Sequence, residues 1–184
     1  MIVIPIELQI LVFSVSGVTL KLADHWGELE HKLPAYFTAI LTAGFFGWLA
    51  AQNPLNGALI FGLLLGVIVA QKVDRGNLGV GVIATILFAL LFNAPFPSLW
   101  LIVSVACAAA LDEIGHDRKS RTDKWYVAVF RFRPILKLVV IGFGLLTWIP
   151  YHVILYVLGF DFAYELTNGV LAQKNNGGTE EDAL

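Results

Sequence analysis

The chain has 184 residues, 58% of them hydrophobic and 14% charged, with a mean hydropathy of +0.76 and a formal net charge of −2. A soluble domain carries about 25% charge, and so short a chain has too little interior to bury the excess apolar side chains. The composition therefore points to a bilayer as solvent, and the near-neutral charge gives no basic field to draw nucleic acid as a partner.

Six apolar segments follow one another, most of them about 17 to 22 residues, the length a helix needs to cross about 30 Å of hydrocarbon. The first is expected from Ile2 to Leu22. It carries no Lys or Arg before Lys21 and is interrupted by Glu7, so it reads as a retained span and not a cleaved leader. The second runs from Pro34 to Ala51 and ends in the turn cluster Gln52-Asn53-Pro54-Leu55-Asn56-Gly57. The third ends near Val73, and Asp74-Arg75-Gly76-Asn77 separates it from the fourth, which stops at Asn93-Ala94-Pro95. The fifth runs from Ser98 into Leu111, and the sixth from Pro134 to His152. Cys107, the one cysteine, lies in the fifth span, so no intrachain disulfide can form.

The expected fold is all-α: a polytopic membrane helix bundle of about six transmembrane helices over residues 1–168, built as three hairpins, with a disordered polar tail at 169–184. Helices are required because lipid leaves each backbone group to be satisfied within its own segment. Eleven of the twelve Lys and Arg fall in the odd-numbered loops, and Lys174 alone falls in the tail. The positive-inside rule makes those loops cytoplasmic and places both termini outside a cell membrane. The stretch from Asp123 to Arg133 alternates aromatic and basic residues and is expected to lie along the inner surface.

The chemistry gathers at that inner face. Each odd span exits through an Asp with a Gly close behind: Asp24, Asp74 and Asp112. Asp24, Glu28 and His31 share a face of a continuous helix. Glu28-x-x-His31 and Glu113-x-x-His116 repeat the Glu-x-x-His spacing of carboxylate-bridged metal bundles. The expected metal ligands are Asp24, Glu28, His31, Asp74, Asp112, Glu113 and His116, and the expected metal is divalent, magnesium or a transition metal. Asp112, Glu113 and His116 are the expected catalytic groups. Carboxylates at the end of an apolar helix call for water, a metal or a cation. Arg131, Arg133 and Lys137 are the expected phosphate ligands, since the guanidinium fork matches phosphate oxygens. Gly44, Gly47, Gly62 and Gly66 read as close-packing sites between helices.

A small six-span architecture with inner-face acids resembles the CDP-alcohol phosphotransferases in outline. Their Asp-x-x-Asp-Gly-x-x-Ala-Arg run is not reproduced by Asp112 to Arg118 or elsewhere, so no family follows. The function expected is a metal-dependent enzyme acting on a phosphorylated lipid or isoprenoid at the cytoplasmic face. A small cation or solute transporter and a non-catalytic membrane subunit are the alternatives. Membrane lipid is the expected partner, and an oligomer is compatible with each reading.

Overall fold

The computed structural model describes residues 4–117 and 133–181. Among these the chain is all-helical, with seven helices and no strand: α1 (Ile6–Glu28), α2 (Lys32–Ala50), α3 (Pro54–Val69), α4 (Gly76–Leu91), α5 (Leu99–Asp117), α6 (Pro134–Leu145) and α7 (Tyr151–Glu181). Helices α1 and α2 are long and apolar enough to cross a membrane, while α3, α4 and α6 are apolar but shorter.

The helix ends have local causes. Asn53 caps α3 by accepting the Asn56 N–H at 2.9 Å, with Pro54 in the first turn where its missing N–H costs nothing. Helices α1, α3, α4 and α6 all end on a non-glycine residue of positive φ: Glu30, Gln71, Asn93 and Thr147. At α1, Glu30 N donates to Gly27 O and His31 N to Trp26 O, the paired bonds of a left-handed terminator, and the other three repeat the pattern. No glycine announces these stops in the sequence.

Packing partners are set by small residues. A Cβ on Gly62 would lie 2.7 Å from Val105 of α5, and one on Gly66 2.6 Å from Ala109, so α3 and α5 touch almost backbone to backbone. Gly47 of α2 meets Phe88 and Ala89 of α4 in the same way, and Gly17 of α1 meets the Phe160 carbonyl of α7. Each of these pairs is parallel, because position advances in the same direction along both members. The expectation of three hairpins is corrected accordingly. Helices α1 and α2 pack as a hairpin, but α4 lies on α2 and α5 on α3, without an extended α4–α5 contact. Close backbone approach at glycine outweighs adjacency in sequence.

The helices follow one another around an open ring in the order α4, α2, α1, α7, α6, α5, α3. The ends of the ring, α4 and α3, make no extended contact with each other, and α2 and α3 touch across their connecting turn.

Helix α7 is a second correction. The sixth apolar run was expected to continue to His152, but α6 stops at Leu145, the chain turns, and α7 runs back beside α1. Gly159 lies against Ile10 and Ser14, Gly17 against Phe160 and Tyr164, and Lys21 over the Tyr164 ring. The N-terminal end of α1 and the C-terminal part of α7 therefore stand at opposite ends of the bundle, not at one end. Helical backbone continues to Glu181, into the stretch expected as a polar tail.

The core lies toward the end away from the charges: Phe13, Leu49, Leu59, Leu101, Val105, Val153 and Tyr156 are all buried there. A polar clamp sits within it. Gln9 Oε1 accepts from Asn56 Nδ2 at 2.8 Å and from the Tyr156 hydroxyl at 3.2 Å, tying α1, α3 and α7.

Candidate functional site

At the other end the ring widens into a cavity of about 380 Å3 lined by all seven helices, within the range of small-molecule sites. Its depth is apolar, walled by Phe46, Leu63, Leu64, Val82 and Phe160, with Thr42 and Thr85 among them. Its mouth is charged: Lys21, Asp24, Glu28, Lys72, Asp74, Arg75, Asp112, Glu113, Arg133 and Glu165, with Tyr164 and Asn168. The structure thus brings Asp24, Glu28, Asp74, Asp112 and Glu113 to one opening.

Their partners differ. Asp24 accepts from Lys21 Nζ at 2.9 Å, one turn back on α1, and from Arg75 at 3.2 Å across the bundle; Glu28 lies 3.8 Å from the same guanidinium. Arg75 therefore ties the start of α4 to the end of α1. Asn77 adds a second tie, donating to the Ala23 carbonyl at 2.8 Å. Asp74, exposed in the α3–α4 link, stands at the rim.

Asp112 and Glu113 diverge by about 100° around α5, so they must serve different partners. Asp112 accepts the backbone N–H groups of Ile135 at 2.9 Å and Leu136 at 2.8 Å. These are donors of the first turn of α6, which a helix cannot satisfy internally, so Asp112 acts as a cap supplied from another helix. Glu113 pairs with Arg133 at 2.8 Å. Arg133 takes a left-handed conformation (φ 45°) immediately before Pro134 and lies 4.9 Å over the Tyr164 ring. Burial works against the Arg133 charge, but Glu113, with Tyr164, Asp161 and Glu165 behind it, outweighs that and holds its pKa above the ordinary guanidinium value.

Other expected ligands lie elsewhere. Because α1 ends at Glu28, Asp24 and His31 are not on one continuous helix. His31 is exposed beyond the turn, its ring against Trp26, and does not line the cavity. Lys137 pairs with Asp161 of α7 at 2.5 Å, beside a smaller pocket behind the main one. Arg131 and the 123–132 surface stretch lie outside the described residues, as does the side chain of His116. Among the described residues no three His, Cys, Asp or Glu side chains form a ready cluster for a metal ion.

The sequence reading missed Tyr164 and Asn168 and placed Glu165 at the opposite, outer face. Tyr164 presents its ring to Lys21 and Arg133, while Glu165 and Asn168 follow it at the mouth. All three are on α7. The apolar spacing of Val153, Tyr156, Val157 and Phe160, all buried, was the available signal for a helix that returns through the bundle.

No known protein family matches the chain, and no curated protein or solved structure shows significant similarity to it.

Proposed function

We propose that the chain is a multi-pass membrane protein that holds a phosphorylated amphiphile, lipid or isoprenoid, with its head at the charged mouth and the start of its tail in the apolar depth. The observation that carries this reading is the cavity itself, because one opening offers cations to an anionic head and hydrocarbon walls to a tail.

The membrane setting draws on the bundle surface. Phe37, Ile83, Leu87, Leu90, Leu91, Val103, Leu138 and Phe162 are all exposed, while the interior is built from Ala, Gly and Thr as well as large side chains. That is the inverse of a soluble bundle and the packing style of membrane helices. Seven alternating passes also put the stretch of α7 beyond Asn168 at the same end as Lys21, Lys32, Lys72, Arg75, Arg133 and Lys137. The resulting separation of charge makes the mouth cytoplasmic by the positive-inside rule.

Lys21, Arg75 and Arg133 are each within reach of a carboxylate at the mouth, and an arriving phosphate would share these cations. A divalent metal fits this reading as a companion of the phosphate. Magnesium is commonly held by one or two carboxylates together with substrate phosphate oxygens, and Asp74 and Glu28 are the exposed carboxylates at the rim. Lewis acidity and charge clamping of that kind are what phosphoryl chemistry requires.

The test is lipid binding in nanodiscs. The wild-type protein should retain phosphatidic acid in preference to phosphatidylcholine by native mass spectrometry. Arg75→Ala should weaken that preference, and magnesium should strengthen it. Equal retention of both lipids by the wild type would refute the reading. A second reading, transport of a small solute, draws on the Lys137–Asp161 pair between α6 and α7, a charge pair inside the bundle of the sort transport pathways use.

A further inference from the structure

The cavity is shallow for the ligand proposed. Along α4 it extends from Leu78 to Thr85, which at 1.5 Å per residue is about 10 Å of helix. A lipid tail spans a leaflet of about 15 Å of hydrocarbon, and the end of the bundle away from the charges is filled by packed side chains. A tail that enters with its head at the mouth must therefore leave sideways.

Among the described residues the ring of helices leaves one seam for it. Around the cavity α4 packs on α2, α2 on α1, α1 on α7, α7 on α6, α6 on α5 and α5 on α3. Helix α4 makes no extended contact with α3 or α5, although all three line the cavity. One stripe of α4, Leu78, Gly81, Val82 and Thr85, lines the cavity together with Leu64 and Val67 of α3, and within it Gly81 lies against Ala39 of α2. The first three of these α4 residues are only half-buried, as are Leu64 and Val67. At the charged end the α3–α4 link crosses the foot of this seam and carries Lys72, Asp74 and Arg75 to the mouth.

We infer that the seam between α4 and the α3–α5 pair is a lateral portal, through which the hydrocarbon tail of the bound lipid phosphate passes from the cavity into the bilayer. The inference rests on the reading of the cavity as a headgroup site. The seam's two sides are built by separate glycine contacts, Gly47 on the α2–α4 side and Gly62 with Gly66 on the α3–α5 side. Each wall is thus a rigid pair, and the tail lies between the two. The apolar walls make no directional contact with a tail, so the portal is tolerant of tail chemistry and selective only for thickness.

The experiment uses the full chain in phosphatidylcholine nanodiscs with a phosphatidic acid carrying a diazirine midway along one acyl chain. After irradiation, adducts are mapped by peptide sequencing, with and without excess unlabelled phosphatidic acid. The expected result is labelling of the 78–85 segment of α4 and the 63–67 segment of α3 several-fold above the rest of the bundle, suppressed by the competitor. Competed labelling that falls instead on α1, α6 or α7 would overturn the portal and leave the headgroup site standing. Labelling insensitive to phosphatidic acid would overturn the headgroup reading, and the portal with it.

Discussion

Replacing Asp112 separates two roles that a carboxylate at the end of α5 could play. The side chain is 1% exposed, and its two oxygens each accept one N–H of the first turn of α6. Asp112→Ala leaves both donors without a partner and removed from water, at about 1–3 kcal/mol for each buried unsatisfied group. Asp112→Asn keeps one acceptor but turns an amide NH2 toward the other N–H, so it should cost about half as much. Taking about 2 kcal/mol for each lost bond, amide exchange at Ile135 and Leu136 should quicken roughly 30-fold in the Asn variant, since each 1.4 kcal/mol is a factor of ten. The Ala variant should be faster still, and its thermal midpoint in detergent lower. Hydrogen–deuterium exchange over 133–145, compared with α2 as an internal control, reads this directly. Unchanged exchange at the start of α6 in both variants, accompanied by lost lipid-phosphate binding, would refute the capping role and return Asp112 to the head-binding chemistry.

Gly66→Ala should lower thermal stability by about 1–3 kcal/mol, because its Cβ would meet Ala109 at 2.6 Å and the Ala106 carbonyl at 2.9 Å; Gly142→Ala, with nothing within 4 Å, should be neutral in the same melt. Asn56→Leu should destabilise by about 1–3 kcal/mol, since it leaves Gln9 Oε1 with only the longer Tyr156 bond and takes a donor from the Leu49 carbonyl, whereas Gln9→Leu combined with Asn56→Leu should recover part of that loss in a double-mutant cycle. In a Cys107→Ser background, cysteines at Gln71 and Gln173 should react with a membrane-impermeant reagent from one side, and a cysteine at Asn53 from the other. Gln173 reacting together with Asn53 would sink the parallel placement of α1 and α7. Glu113→Gln should loosen Arg133 from its 2.8 Å partner and raise proteolytic cleavage beside Pro134, while Glu30→Gln, at an exposed position, should leave cleavage unchanged.

Much of the helical content was readable because apolar runs and the Gln52–Gly57 turn leave strong local signals. The clustering of Asp24, Asp74 and Asp112 at one end followed from the same alternation. Partner choice was harder to read. Gly62 and Gly66 announce a close neighbour but not its identity, and the parallel α3–α5 pairing emerges only when the backbones meet. A helix over Val153 to Leu166 was legible only as an extension of the sixth span or a surface helix, and its return through the bundle was missed because Asp161 and Glu165 break the apolar count, although Asp161 is answered by Lys137 and Glu165 lines the cavity. Asp112 was read for metal chemistry because its contacts are backbone N–H groups, which no residue pattern displays. His31 was placed on the α1 face because nothing at Leu29-Glu30 resembles a glycine stop.

The packed core beyond the cavity also shapes the electric field. On the membrane reading proposed above, a polar mouth on one side of a packed plug that includes Phe13, Leu49, Leu59 and Tyr156 would confine most of a transmembrane voltage to the plug. Moving one elementary charge through the whole potential is worth about 2.3 kcal/mol per 100 mV, but a phosphate settling at the mouth travels through little of that drop. The occupancy of the proposed phosphate site should therefore be nearly independent of membrane voltage, so that energising or depolarising the membrane would neither load nor empty it.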